Sequence, residues 1–261
     1  MGTLLASLGM LALHSLSAAG GEPIFKDPLR AFDHDAWGIH EGLSSDNIQA
    51  LARSGDGYLW VGTNEGLFRF DGTHFRSLDE LLKRSSPLIN VRALAPSRSG
   101  GIWIASRDGA LYSWRDERLT IHGKAGAFGS EIFSLCEGPD GSIWIGTRGA
   151  GLVRLRNGRR TSWTVADALS IKNVFAIRED GSGGLWIGAR DGLFRWVAGG
   201  VRREELQDSG AIRRVFALSG DGRGGLWLAG LDGGLAHRDE KGRPRLVSDF
   251  RAGSIFALDA D

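Results

Sequence analysis

Leu59-Trp60-Val61-Gly62, Ile102-Trp103-Ile104-Ala105, Ile143-Trp144-Ile145-Gly146, Leu185-Trp186-Ile187-Gly188 and Leu226-Trp227-Leu228-Ala229 are five versions of one short core. Their tryptophans follow one another at intervals of 43, 41, 42 and 41 residues. A chain that repeats at this period is an array of structural units, each covering its apolar faces with its neighbours. An aliphatic residue stands twelve positions before every one of these tryptophans: Ile48, Val91, Ile132, Val174 and Val215. Insertions are therefore excluded from that stretch and confined to the rest of the unit.

The first unit reads as four short strands, at residues 48–52, 58–63, 67–70 and 74–78. Between them lie Ser54-Gly55-Asp56-Gly57, Asn64-Glu65-Gly66 and Asp71-Gly72, the turn chemistry that tight hairpins require. The second strand is almost continuously apolar, so both of its faces are buried. In the first strand the position two after the aliphatic is always small (Ala50, Ala93, Ser134, Ala176, Ala217 and Ala257), which suits the innermost strand of a radial array. The expectation is an all-β fold, a β-propeller of four-stranded antiparallel blades. A helical solenoid of similar period competes, but 40 glycines and repeated Asp-Gly turns argue against long helices.

At the end of the chain, Ile255-Phe256-Ala257-Leu258 begins a sixth unit, counted from Ser254, and Asp261 comes before its tryptophan. Residues 32–38 with Glu41-Gly42-Leu43 resemble the tail of a preceding unit. Residues 31–261 are thus expected to form five complete blades plus partial strands, a truncated ring. Residues 1–21 carry no Asp, Glu, Lys or Arg and have an apolar stretch from Leu4 to Leu16 before Ser17-Ala18-Ala19. That pattern reads as a signal peptide cleaved after Ala19; a membrane leader left uncleaved and a disordered leader are the alternatives.

The 32 basic and 31 acidic residues leave no electrostatic footprint for nucleic acid. Cys136, the single cysteine, falls in an inner strand and reads as a small buried hydrophobe. The six histidines show no metal-ligand spacing, and neither a metal nor a cofactor is expected. Gly220-Asp221-Gly222-Arg223-Gly224-Gly225 satisfies G-x-G-x-x-G but leads into a strand, without the helix N-terminus that would hold a pyrophosphate. Asp56, Asp140, Asp180 and Asp221 read as turn residues, since they lack the alternating oxygen ligands of a calcium loop.

Gly42-Leu43-Ser44 with Asn47-Ile48, then 56–63, Gly66-Leu67-Phe68-Arg69-Phe70-Asp71-Gly72 and Phe75, resembles the two-component regulator propeller repeat. The second and fifth units depart from it, with Ala105-Ser106 and Ala229-Gly230 where the repeat has a threonine. The resemblance implies the extracytoplasmic sensor region of a histidine kinase or diguanylate cyclase receptor, exported to the periplasm or tethered to the inner membrane. It further implies downstream immunoglobulin-like, transmembrane and output domains, and homodimerisation.

Candidate ligand-binding residues follow from position. In a propeller, the approach to strand one and the turn between strands two and three open on one face. Four residues after the tryptophan the units present Asn64, Arg107, Arg148, Arg190 and Leu231; just before strand one they present Asn47, Asn90, Glu131, Asn173 and Arg214. The second set is expected to ring the channel mouth, with the first standing further out. Guanidiniums beside amides suit an anionic or polyhydroxylated ligand, a small molecule or an oligosaccharide, such as an acidic sugar fragment. Solvated Arg/Asp pairs and turn-capping asparagines remain the plain alternative. A non-catalytic sensor is the leading functional reading, with no catalytic residue assigned. A propeller enzyme such as a polysaccharide or lactone lyase, or a protein-interaction scaffold, is the alternative.

Overall fold

A computed structural model describes residues 37–129, 131–163, 172–197, 200–206, 212–230, 233–249 and 258. The expected leader at 1–21 and, apart from Leu258, the sixth repeat from Ser254 lie outside the described residues.

The five units fold into five four-stranded antiparallel meanders set in a ring, an all-β propeller. Blade one comprises β1 (Ile48–Arg53), β2 (Leu59–Thr63), β3 (Leu67–Phe70) and β4 (Phe75–Ser77). Blade two comprises β5 (Val91–Pro96), β6 (Ile102–Ser106), β7 (Leu111–Arg115) and β8 (Arg118–Gly123). Blade three comprises β9 (Ile132–Glu137), β10 (Ile143–Thr147), β11 (Leu152–Arg156) and β12 (Arg159–Trp163). Blade four comprises β13 (Val174–Glu179), β14 (Leu185–Ala189), β15 (Gly192–Val197) and β16 (Gly200–Glu204). Blade five comprises β17 (Val215–Gly220), β18 (Leu226–Gly230), β19 (Gly234–Arg238) and β20 (Pro244–Asp249). The inner strands pack in the order β1, β5, β9, β13, β17, and no contact of like extent joins β17 to β1 among the described residues.

Two recurring positions of the repeat meet across blades. A Cβ on Gly62 would lie 2.5 Å from Val91 Cγ1, on Gly146 2.7 Å from Val174 Cγ1, and on Gly188 2.9 Å from Val215 Cγ1. In blades one, three and four the glycine that ends the core thus receives the leading aliphatic of the next blade, a contact that holds both positions at fixed spacing; blades two and five carry alanine there. Trp60, Trp144 and Trp186 are buried between blades, whereas Trp103 and Trp227 remain half-buried. Cys136 is half-buried on β9, and burial pushes its thiol up to about 11, leaving it inert as a nucleophile at neutral pH.

One feature of the inner strands was not expected. Every β1-type strand is out of register with its partner by one residue after the leading aliphatic: Ile48 pairs with Thr63 but Ala50 with Gly62, and the same shift recurs in the other four blades. The extra residue forms a β-bulge, which re-aims its side chain. These residues are Gln49, Arg92, Phe133, Phe175 and Phe216.

The expected fourth strand of blade one is shorter than read. It ends at Ser77, and Leu78 opens the short helix α1 (Leu78–Leu82), because the Ser77 side chain accepts a hydrogen bond from Glu80 N at 3.2 Å and caps it. Burial of Leu78 fixes that turn of helix against the blade. Ahead of blade one, Ile39–Glu41 forms a 3-10 turn, while residues 32–36 of the expected tail of a preceding unit lie outside the described residues.

Candidate functional site

The end of the ring where the approach to strand one meets the β2–β3 turns is held by backbone rungs. Asn90 N donates to Asn64 O at 2.8 Å, and Arg107 N donates to Asn90 O at 2.8 Å. Arg148 N donates to Glu131 O at 2.9 Å, Arg190 N donates to Asn173 O at 3.1 Å, and Arg148 and Asn173 form an antiparallel bridge between blades three and four. These rungs bring Asn64, Asn90, Arg107, Glu131, Arg148, Asn173 and Arg190 together as neighbours along one end of the ring.

Their side chains divide by blade. On blades one and two the asparagines serve the turns: Asn64 Oδ1 accepts from Ser45 Oγ at 2.7 Å, Asn47 Oδ1 accepts from the Gln49 side chain, and Asn90 takes a left-handed conformation at φ 51°. At blade three, Glu131 is the hub. Its carboxylate, 9% exposed, lies 3.2 Å from Arg92 Nε, 3.7 Å from Arg107 Nε and 3.6 Å from Arg148 Nη1. Three guanidiniums around one carboxylate leave an excess of positive charge, and Arg107 and Arg148 remain 69% and 65% exposed to solvent.

On blades three to five a cavity of about 330 Å³ opens at the mouth, lined by Phe133, Arg148, Asn173, Phe175, Arg190 and Arg214. Arg148, Asn173, Arg190 and Arg214 are thus gathered at one cavity, while Asn47, Asn64, Asn90, Arg107 and Glu131 stand outside it; Leu231 lies outside the described residues. The Arg190 side chain has no ion-pair partner among the described residues, and Asp108 beside Arg107 is turned into its own loop, accepting from Ser106 Oγ and Ala110 N.

The aromatic floor was missed at the sequence level. The bulge residues touch from blade to blade: Gln49 Oε1 accepts from Arg92 Nη1 at 3.0 Å, Arg92 Cζ lies 5.4 Å from the Phe133 ring, Phe133 meets Phe175 edge-on at 5.3 Å, and Phe175 stacks on Phe216 at 4.8 Å. The available signal was a position that switches among Gln, Arg and Phe while flanked by an invariant aliphatic and an invariant small residue.

No group of histidine, cysteine and carboxylate side chains suited to a metal ion occurs among the described residues. Asp140, Asp180 and Asp221 serve as turn residues, each accepting backbone N–H groups from the hairpin it opens. Gly220-Asp221-Gly222-Arg223-Gly224-Gly225 runs into β18, as a turn before a strand. His122 and His237 sit on β8 and β19, each 4.6 Å from the indole of its blade and away from the cavity.

Residues 42–65 and 126–149 match the sequence model of the two-component regulator propeller. None of the curated proteins matches the chain. Among solved structures, the extracellular domain of the putative one-component system BT4673 from B. thetaiotaomicron superposes with a TM-score of 0.69 at 18% identity, covering 82% of this chain and 29% of that one. The extracellular domain of the putative hybrid two-component system BT3049 from the same organism gives 0.66 at 20% identity, covering 84% of this chain and 32% of that one. Virginiamycin B lyase from Staphylococcus aureus gives 0.66 at 14% identity, covering 80% of this chain and 72% of that one. The chain thus spans about a third of the two receptor ectodomains. At these identities the likeness concerns the fold, and no described helix is long and apolar enough to cross a membrane. The chain is a β-propeller, two segments of which match the two-component regulator propeller repeat.

Proposed function

We propose that this chain is the ligand-sensing propeller of a signalling receptor and carries no catalysis of its own. The observation that supports this best is the mouth cavity, where Arg148, Arg190 and Arg214 face an aromatic floor of Phe133 and Phe175. Guanidiniums recognise anions through charge-assisted hydrogen bonds, and aromatic faces accept the flat side of a ring. An acidic oligosaccharide fragment or a comparable carboxylated small molecule combines both features. The cavity lining supplies arginine, asparagine and phenylalanine, none of which is a general base at neutral pH. Binding would act by favouring one packing of the blades against the following domains of the receptor, which the repeat family implies to be immunoglobulin-like, transmembrane and output modules.

Titration of acidic and neutral oligosaccharides into the chain, followed by calorimetry, tests this reading. Acidic fragments should bind, and Arg190→Ala should weaken them about tenfold or more. Binding that is unchanged in Arg190→Ala, or equal for neutral sugars, sinks it. The likeness to virginiamycin B lyase supports a lyase as second reading; chain-dependent turnover of the bound fragment would establish it in place of the sensor. Placement outside the cytoplasm is part of the same proposal: an alkaline phosphatase fused after Asp261 should be active in cells, and a stable but inactive fusion overturns it.

A further inference from the structure

We infer that Arg148 and Arg190 bracket a carboxylate site of the same design as the one Glu131 already fills one blade earlier; the inference rests on, and narrows, the sensing reading above. The units repeat around the axis, so equivalent positions can be compared directly. Between blades two and three, Glu131 occupies the position before strand one. One of its carboxylate oxygens faces Arg107, the turn arginine of the preceding blade, at 3.7 Å, and Arg92, the preceding bulge residue, at 3.2 Å. Its other oxygen faces Arg148, the turn arginine of its own blade, at 3.6 Å.

One blade further on, the same three positions hold Arg148, Arg190 and, at the bulge, Phe133. The position before strand one is Asn173, an uncharged side chain one methylene shorter than glutamate, whose Oδ1 accepts from Gly149 N at 3.2 Å and is held back against the turn. The bracket is repeated without its carboxylate, and this is where the cavity of about 330 Å³ lies. Two turn arginines that flank an internal carboxylate in one gap are thereby presented to an external one in the next. The third partner has changed from the guanidinium of Arg92 to the ring of Phe133. The occupant is therefore a carboxylate attached directly to a ring, with the carboxylate between Arg148 and Arg190 and the ring over Phe133 and Phe175. A uronate has that form; a neutral hexose and an aliphatic dicarboxylate each lack one half of it.

Asn173→Glu supplies the carboxylate from within, and Asn173→Gln supplies the same length without charge. In low-salt buffer and without ligand, Asn173→Glu should melt above Asn173→Gln, and the gap should close in high salt, where exposed charges are screened. A glutamate variant that melts below the glutamine variant overturns the inference whether or not any sugar binds. Digalacturonate and its dimethyl ester then serve as probes by calorimetry. The wild type and Asn173→Gln should bind the diacid in preference to the ester, and Asn173→Glu should bind it about tenfold more weakly or worse. Equal loss in both variants, or none in either, overturns the assignment of the bracket. Should the melting difference be as expected while the wild type binds neither probe, the carboxylate bracket is upheld and the acidic-sugar reading is what fails.

Discussion

Arginine is used in two ways at the two ends of these blades. Where strands one and two join, Arg154 and Arg195 lie over Trp144 and Trp186 at 5.2 and 4.9 Å and pair with Asp140 and Asp180 of their own turns. In blade five the same place is taken by His237, 2.8 Å from Asp221. In blades three and four these arginines cover the indole and anchor the turn, whereas blade one sets Arg69 over Tyr58 at 4.3 Å and blade two sets His122 4.6 Å from Trp103, so the indole is covered in each unit by a side chain of its own blade. At the mouth, Arg107, Arg148, Arg190 and Arg214 surround a single carboxylate and a cavity, and the residues beside them change from blade to blade. Abundance of a residue type therefore carries little functional meaning in a repeat protein; what informs is whether its partner repeats with it.

The contrast can be broken most forcefully at the repeated end. Trp144→Ala removes an indole packed against Trp163 at 5.5 Å and Trp196 at 4.7 Å, and should cost about 3–5 kcal/mol in urea unfolding. A cost below about 1 kcal/mol would show the indole to be peripheral to the blade. Next comes Gly62→Ala, whose Cβ would press on Val91 and should cost about 1–3 kcal/mol. Adding Val91→Ala should recover part of that loss, so the double mutant is more stable than the sum of its parents predicts, and strict additivity would refute the contact.

A smaller effect is expected at Asp180, whose side chain is 2% exposed and pairs with Arg195. Burial alone would raise this carboxyl, but hydrogen bonds from Arg195, Ser182 and Gly184 outweigh it and hold the group below its ordinary range. A carboxylate lowered in the folded state lends stability above its unfolded value of about 4 and surrenders it as pH falls through the folded one. Asp180→Asn should accordingly lower the melting temperature at neutral pH, by an amount corresponding to about 1–3 kcal/mol, and flatten the decline below about pH 4. Parallel acid limbs for variant and wild type would contradict this. Smallest of all is Arg190→Ala, which should change stability by no more than about 0.5 kcal/mol while removing ligand affinity; a large drop in melting temperature would move Arg190 to the structural class.

Most of the scaffold was legible because its determinants are periodic. The tryptophans and the aliphatic twelve residues ahead recur in all five blades and the Asp-Gly turn before strand two in four, so the copies average out local ambiguity. The bulge escaped for the same reason. Since all five inner strands contain the extra residue, the spacing from aliphatic to tryptophan stays constant and no misalignment betrays it. The mouth was legible as a set of positions but not as a site. Residues that look equivalent in sequence, such as Glu131 and Asn173, differ in what fills the gap beside them, and that depends on side chains of two blades at once. α1 was readable in retrospect from Ser77-Leu78-Asp79-Glu80, a capping pattern that the strand periodicity overrode.

The misregistered residue in each inner strand also bears on engineering. Gln49, Arg92, Phe133, Phe175 and Phe216 stand at the bulge, so their identities are written independently of the framework that carries them. Randomising this short column, and leaving the indoles and glycines alone, offers a compact combinatorial library for redirecting the channel to new small molecules.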